Sequence, residues 1–321
     1  MSKVSLIITI YKNEENIMPF YEEFQKNIAP AILKEGDDYE IIMINDDSPD
    51  NSWGVMKQVA AMDSKIKLLR LSRNFGAIAA TFTGLTYATG DCITGKACDL
   101  QEPSELTLQM YREWKKGEKV LFAVREARSD GFFNDLASNI YYWIMRNMVV
   151  HSMPKGGFDC YMIDKHVKDQ IVEMNDKNSN IALQLMWLGF HPKKVYYVRQ
   201  KREIGKSSWT LAKKIKLFMD SIIGFSYVPI RFMTGTGVLF LIFSIIFTLK
   251  VLWARLNNLI PVQGYATLVI ITLFSAGMIM FTLGILGEYI WRTMEASRNR
   301  PLSVVQDAIG FGSKDLGEGA R

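Results

Sequence analysis

Two charge-free stretches in the last third of this chain constrain its fold more than any other feature. No Asp, Glu, Lys or Arg occurs from Phe232 to Leu249, and none from Leu256 to Gly287. A bilayer core is spanned by about 20 mainly apolar residues in helix. A soluble alternative would have to bury both runs on every side, which is difficult in a chain of 321 residues. The pattern predicts two transmembrane helices, at about 231–253 and 265–289.

Basic residues orient the hairpin. Lys193, Lys194, Arg199, Lys201, Arg202, Lys206, Lys213, Lys214, Lys216 and Arg231 precede the first run, and Arg292, Arg298 and Arg300 follow the second. The connection from Leu256 to Gly264 follows a single Arg255. Positive residues favour the cytoplasmic side, so a twice-crossed cell membrane is expected, with both termini in the cytoplasm. The net charge of +5 is largely this juxtamembrane segment, whose expected partner is anionic membrane lipid and not nucleic acid. The start, Met1-Ser2-Lys3-Val4, runs directly into a strand-like segment, so no cleavable signal peptide is expected. Cys92, Cys98 and Cys160 form no CxxC pair, which favours reduced thiols over a disulfide frame or zinc site.

Before residue 230 the pattern changes. Val4–Ile10, Tyr39–Ile44, Ile66–Leu71, Asp91–Ala97 and Val120–Val124 are short apolar runs. Helical spacing separates them, from Ile17, over Trp53–Ala61, over Ala77–Ala88 and from Ser104 to Lys116. This alternation predicts an α/β fold, a mostly parallel Rossmann-like sheet with helices on both faces. Ligands of such sheets bind beyond the carboxyl ends of the strands, which here carry Asp46, Arg73, Asp99 and Arg125. Neither GxGxxG nor a P-loop occurs, which argues against an ordinary dinucleotide or NTPase site.

Several residue groups carry candidate chemistry. Asp99 and Gln101 stand two apart at a strand end, so extended backbone would put both oxygens on one side, as a hard cation such as Mg²⁺ or Mn²⁺ requires. Asp46 is expected to bind a base or ribose, while Asp50 either does the same or, preferably, caps the helix near Trp53. Asp159, after Gly156-Gly157-Phe158, is either a base near a reacting centre or a turn aspartate. Arg202, Lys206, Ser207 and Ser208 surround Gly205, as in a phosphate cradle; juxtamembrane orientation is the other reading. Leu217, Phe218, Ile222, Ile223 and Phe225, interspersed with Lys213, Lys214 and Lys216, suggest a helix in the membrane interface.

The ordered set Asn45-Asp46-Asp47-Ser48-Pro49-Asp50, Leu71-Ser72-Arg73-Asn74-Phe75-Gly76, Asp99-Leu100-Gln101-Glu102-Pro103 and Arg202-Glu203-Ile204-Gly205-Lys206-Ser207 resembles the family 2 inverting glycosyltransferases of GT-A fold. Within them it is similar to the polyisoprenyl-phosphate branch, which includes the bactoprenol glucosyltransferases and dolichol-phosphate mannose synthases. The resemblance covers about Val4 to Glu288. It implies transfer of a hexose from a nucleotide-diphosphate sugar, UDP-glucose or UDP-N-acetylglucosamine, to polyisoprenyl (undecaprenyl) phosphate, for cell-envelope glycan modification.

By the same resemblance Thr9, Tyr11, Glu14, Asp46, Arg73 and Asp99 would border the nucleotide, and Asp99 and Gln101 would hold Mg²⁺ or Mn²⁺. Arg125, Arg128, Ser138, Arg202, Lys206 and Ser207 would face the acceptor phosphate, and Asp159 would be the catalytic residue. The chain departs from the family at Thr9 for Pro, Asp47 for Gly, Ala97 for the first Asp of Asp-x-Asp, and Asn134 and Ser208 for basic residues.

The expected organisation is a cytoplasmic GT-A domain over 1–212, an interfacial helix over 213–229, a two-helix hairpin over 230–290 and a partly disordered tail over 291–321. Ser275, Ala276, Gly277, Gly284 and Gly287 would permit close helix approach in a homo-oligomer. A processive polysaccharide synthase is disfavoured, because Gln184-Leu185-Met186-Trp187 lacks the Arg of that class's Gln-x-x-Arg-Trp element. A catalytically impaired nucleotide-sugar-binding scaffold rests on Ala97 alone.

Overall fold

A computed structural model describes residues 1–126, 140–150, 153–154, 157–176, 180–200, 211–226, 228–257, 264–298 and 300–312. The chain divides into two compact units, Met1–Phe218 with Pro301–Arg321, and Met219–Arg300.

In the first unit the strands are β1 (Lys3–Ile10), β2 (Asp38–Asn45), β3 (Ile66–Leu71), β4 (Cys92–Ala97), β5 (Val120–Arg125), β6 (Cys160–Asp164), β7 (Lys193–Tyr197) and β8 (Val305–Ile309). They form one sheet in the order β7-β5-β6-β4-β1-β2-β3-β8. β1 pairs in parallel with β2 and β4, β2 with β3, and β5 with β7. β6 runs antiparallel between β4 and β5, and β8 antiparallel along β3. The sheet is the mixed, mostly parallel α/β sheet expected from the sequence.

Central strands are covered on both faces, so they show as continuous apolar runs and not as alternation. Ile41, Ile42, Met43 and Ile44 of β2 are each fully buried. On one face Leu6, Ile8, Ile10, Ile41 and Met43 join Phe20 and Phe24 of the helical stretch Glu14–Lys34, Val59 of Ser52–Met62 and Leu106 of Ser104–Lys115. The stretch Glu14–Lys34 passes through a π-turn at Phe24–Ile28. On the other face helix Ala77–Tyr87 lies so close that a Cβ on Gly84 would sit 2.4 Å from Ile7 Cγ2 and 2.9 Å from Ile44 Cδ1. Glycine is therefore required there by close approach.

Between β5 and β6 the described residues include a helix at 140–144 followed by a π-turn at Met145–Val149. The tail after Arg300 adds a strand to the sheet. β8 lies inside it and pairs with β3 through Leu68↔Ile309, Leu69↔Ala308, Arg70↔Asp307 and Leu71↔Val305. The five residues Val305–Ile309, ending at Gly310, have little signal of their own; the ladder offered by an existing strand edge orders them.

Helix Leu211–Phe225 carries the chain into the second unit, which holds helices Val228–Leu256 and Tyr265–Ser297. Both contain stretches long and apolar enough to cross a membrane, Val228–Phe247 and Phe274–Ser297. Their large apolar side chains, among them Phe243, Ile246, Leu249, Ile279 and Leu283, are exposed, which excludes the buried-core alternative for the described residues. The helices meet through Phe240 and Phe274, with ring centroids 5.3 Å apart, and Thr282 Oγ1 donates to Met233 Sδ at 3.3 Å. Arg292 bonds Asp220 at 2.7 Å and Glu288 at 3.1 Å.

Candidate active site

The carboxyl ends of β1, β2, β3, β4, β5 and β7 share one rim of the sheet, and the segment leading into antiparallel β6 opens on the same rim. Three turns there hold a non-glycine residue in the left-handed region, Lys12 (φ 55°), Asp47 (φ 50°) and Leu100 (φ 54°), after β1, β2 and β4 respectively. Such positions carry strain and persist where the surrounding structure fixes them.

On the β1–β3 side the loops are tied to one another through backbone donors. Asp46, 3% exposed, accepts from the N–H of Phe75 at 2.7 Å with Oδ1 and from that of Gly76 at 2.9 Å with Oδ2. Burial pushes its pKa up, against the pull of those two N–H groups. Asp46 thus holds the loop Ser72–Gly76, a role that sequence reading did not assign.

Asp50 accepts from Ser52 N–H at 3.1 Å, from the Ser48 and Ser52 hydroxyls at 2.6 Å each, and from Glu14 N–H at 3.3 Å. It caps both its own helix and the start of Glu14–Glu23. Glu14 returns the contact, its Oε2 accepting from Asn51 N–H at 3.0 Å, so it buttresses the rim. The Arg73 guanidinium lies 4.0 Å from the ring centre of Phe75, and Lys12 Nζ lies 5.6 Å from that of Tyr11. Thr9 is in register with Ile44 on one side and Ala97 on the other, so two of the departures from the family pattern are neighbours.

On the β4–β7 side the partners are side chains. Asp99, 9% exposed, accepts from Gln101 N–H at 3.3 Å. Gln101 accepts from Arg199 Nη2 at 2.5 Å and donates to the Gln200 carbonyl at 3.3 Å. Arg125 grips Asp159 in a fork, Nε to Oδ2 and Nη2 to Oδ1, each at 2.5 Å, and the Tyr197 hydroxyl donates to the same Oδ2 at 2.5 Å. Burial alone would raise the Asp159 pKa, but bonds from Arg125 and Tyr197 bring it below the usual carboxylate range. Burial and the Asp159 charge push the Tyr197 hydroxyl up, so it stays a donor.

Glu102 adds a further carboxylate. Its Oε2 is buried without a hydrogen-bond partner among the described residues, and burial, with Asp159 and Asp99 nearby, pushes its pKa up to about 7 against the opposing pull of Lys96. A cavity of about 610 Å³ opens here, lined by Asn16, Glu23, Asp99, Glu102, Ser104 and Gln200.

Mg²⁺ is commonly held by one or two carboxylates together with substrate phosphate oxygens and water. Asp99 fits that pattern, whereas the Gln101 oxygen is occupied by Arg199 and would have to exchange partners. Among the described residues no three His, Cys, Asp or Glu side chains converge as a metal cage. The donor set therefore fits a cation shared with a diphosphate.

The structure brings Thr9, Tyr11, Glu14, Asp46, Arg73, Asp99, Gln101, Arg125 and Asp159 to one rim. Arg128, Ser138, Arg202, Lys206 and Ser207 lie outside the described residues. Sequence reading missed Tyr197 as a site residue and took Arg199 only as juxtamembrane charge. The signal was present in Val195-Tyr196-Tyr197-Val198-Arg199, a β-rich run ending in a cation like those ending at Arg73 and Arg125.

Residues 5–163 match the family model for glycosyl transferase family 2. An uncharacterized glycosyltransferase of Bacillus subtilis, YkcC, is 31% identical over 97% of this chain and 96% of its own length. The bactoprenol glucosyl transferase of Shigella phage SfV is 29% identical over 95% of this chain and 98% of its own. Among solved structures, a mannosyltransferase from Pyrobaculum calidifontis in complex with GDP-Man and Mn²⁺ aligns with a TM-score of 0.46 and 13% identity, over 63% of this chain and 57% of that one. With a relative above 30% identity matched over nearly its whole length, and bactoprenol glucosyltransferases among the others, this chain belongs to glycosyl transferase family 2.

Proposed function

We propose that this chain transfers a hexose from a UDP-sugar, glucose or N-acetylglucosamine, to a polyisoprenyl phosphate with inversion, at the cytoplasmic face of the cell membrane. The observation that carries the reading is the shared rim. It puts the loop held by Asp46, the Asp99–Gln101 pair and the Arg125–Asp159 pair on adjoining strand ends of a chain that also has two membrane-length helices. The named function of the phage relative supports the same acceptor class.

An acceptor phosphate oxygen attacks the anomeric carbon from the face opposite the diphosphate. A carbon–oxygen bond forms to the lipid phosphate, the bond to the diphosphate breaks, and its electron pair leaves with UDP. A divalent cation, Mg²⁺ or Mn²⁺, would neutralise the departing diphosphate, with Asp99 as its carboxylate ligand and Gln101 beside it. Arg125 would attract the acceptor phosphate, and Asp159 with Tyr197 would set the plane of its guanidinium. A phosphate monoester is already anionic at neutral pH, so no strong base is needed. That agrees with an Asp159 whose carboxylate is paired and of low basicity.

The basic residues before Phe232 support cytoplasmic termini, with 1–212 as the catalytic domain, 213–229 as an interfacial helix and 230–290 as the hairpin. The test is a panel of UDP-, GDP- and dTDP-sugars, with undecaprenyl phosphate in membranes containing this protein, with and without EDTA. Labelled sugar should reach the lipid from a UDP donor and fail to do so with EDTA. No lipid-linked product from any donor would overturn the proposal.

A further inference from the structure

The tail returns from the second apolar helix, in sequence, to the donor side of the sheet. Its contacts fall on both flanks of the loop Ser72–Gly76. On the strand flank, the Val304 carbonyl accepts from Ser72 N–H at 2.9 Å, the first residue past β3, and Leu71 is in register with Val305. On the helix flank, the Ser303 and Thr83 hydroxyls lie 2.5 Å apart, and Phe311 meets Tyr87 edge-on with centroids 5.3 Å apart. Lys67 Nζ sits 5.1 Å from the centre of the Phe311 ring, and Arg70 reaches Asp307 at 4.0 Å. The far end of the same loop is held by Asp46 through Phe75 and Gly76. Without the tail, the loop would keep its Asp46 anchor and lose the hold on Ser72.

We infer that residues 301–311 are a positioning element of the donor site, fixing the loop that carries Arg73 so that it meets the nucleotide preorganised. This rests on the reading of that rim as the UDP-sugar site. A loop held in its binding conformation binds more tightly because less ordering remains to be done on association. Val304 and Ser303 touch neither substrate in this account; they act through Ser72 and Thr83.

Gly310 provides the means to release the strand. Its φ is +85°, and a Cβ there would lie 3.1 Å from the Ile66 carbonyl oxygen. The experiment uses full-length protein in lipid nanodiscs, wild type against Gly310→Val, and reads three quantities. These are hydrogen exchange at the Ser72 amide, the dissociation constant for UDP, and the KM for undecaprenyl phosphate.

The expected result is faster Ser72 exchange and UDP binding weakened about tenfold, with the acceptor KM within twofold. Faster exchange with unchanged UDP binding overturns the inference. So does a Ser72 amide that stays protected, because Val304 would then not be its anchor. Equal weakening for both substrates would mean general damage and also overturns it. Should Gly310→Val fail to fold, Ser303→Ala, which removes only the Thr83 contact, must weaken UDP binding in the same direction, by about twofold. If wild type binds no UDP, the donor reading fails, while the Ser72 amide still reports whether the tail anchors the loop.

Discussion

The amino and carboxyl ends of this sheet treat buried carboxylates in opposite ways. At the amino end Asp37 receives Ser2 N–H at 2.6 Å, Tyr111 and Lys115, which outweigh its burial and hold its pKa at about 2. Asp38 receives Lys65 at 2.5 Å and is likewise lowered. Glu40 is buried, which alone would raise its pKa, yet Lys3 at 2.8 Å, Ser5 at 2.6 Å, Thr89 N–H at 2.8 Å and Lys67 at 3.0 Å bring it down to about 2. At the carboxyl end Asp46 has neutral N–H donors and is raised, and Glu102, with a buried oxygen that has no partner among the described residues, is pushed up to about 7. Charge neutralised at one end stabilises the fold. Charge left in excess at the other suits a cation and a diphosphate to complete it. Asp50, held by Ser48, Ser52 and Glu14, and Asp159 are exceptions among the described rim carboxylates, and the Asp159 partner Arg125 is the cation proposed to meet the acceptor.

The strongest break in this contrast is Asp99→Ala. Removing the carboxylate proposed to hold a cation shared with the donor should cut sugar transfer by on the order of 10³-fold. Thermal stability should stay within about 1 kcal/mol. Normal transfer in this variant would remove the cation assignment.

Glu40 tests the other end. Its folded pKa of about 2 lies below the ordinary Glu value of about 4.3, so the folded state binds fewer protons than the unfolded state in between. Its contribution is complete above the unfolded value and is lost as pH falls from about 4.5 towards 2, amounting to about 3 kcal/mol. Glu40→Gln should therefore lower the melting temperature at pH 7 and flatten its decline through that acid range, with UDP affinity unchanged. A parallel decline in both proteins would show that the lysines around Glu40 do not set its proton affinity.

Asp159→Asn asks whether a rim carboxylate paired with a cation behaves like those below. The substitution keeps the shape and removes the charge facing Arg125. Transfer should fall roughly 30-fold, the kinetic equivalent of about 2 kcal/mol for truncating a buried charge pair. UDP affinity should hold within twofold. A loss of UDP affinity as large as the loss of turnover would move Asp159 to the donor half.

Much of this contrast was invisible before the fold was known, and particular residues show why. Tyr39–Ile44 announces itself as a strand because a twice-covered parallel strand must be apolar throughout. β7 lies at the sheet edge with Lys193, Lys194 and Tyr196 exposed, so its pattern is diluted. β8 carries Gln306 and Asp307 within its five residues and takes its strand form against β3. Asp46, Asp99 and Asp159 were legible as carboxylates in turns, because strand ends are where a parallel sheet puts its ligands. Their partners were not legible: Arg125 is 34 residues from Asp159, Tyr197 is 38 from it, and Phe75 is 29 from Asp46. Spacing along a chain does not encode contacts made across a sheet.

Asp47→Gly sharpens the comparison at its mildest point, where a rim residue departs from the family's glycine. Asp47 sits at φ 50°, a conformation that costs an ordinary L-residue about 1–2 kcal/mol and Asp somewhat less. Glycine removes that strain but gives the unfolded chain more freedom, an opposing effect of about 0.5–1 kcal/mol. It also removes the half-exposed pair with Arg70 at 3.5 Å, worth under about 1 kcal/mol. The three effects nearly cancel, so stability should change by less than about 1 kcal/mol and transfer by less than about twofold. Melting curves and initial rates check both. If transfer changes tenfold while the melting temperature stays fixed, Asp47 touches substrate, and its charge belongs with Asp99 among the rim carboxylates that the reaction uses.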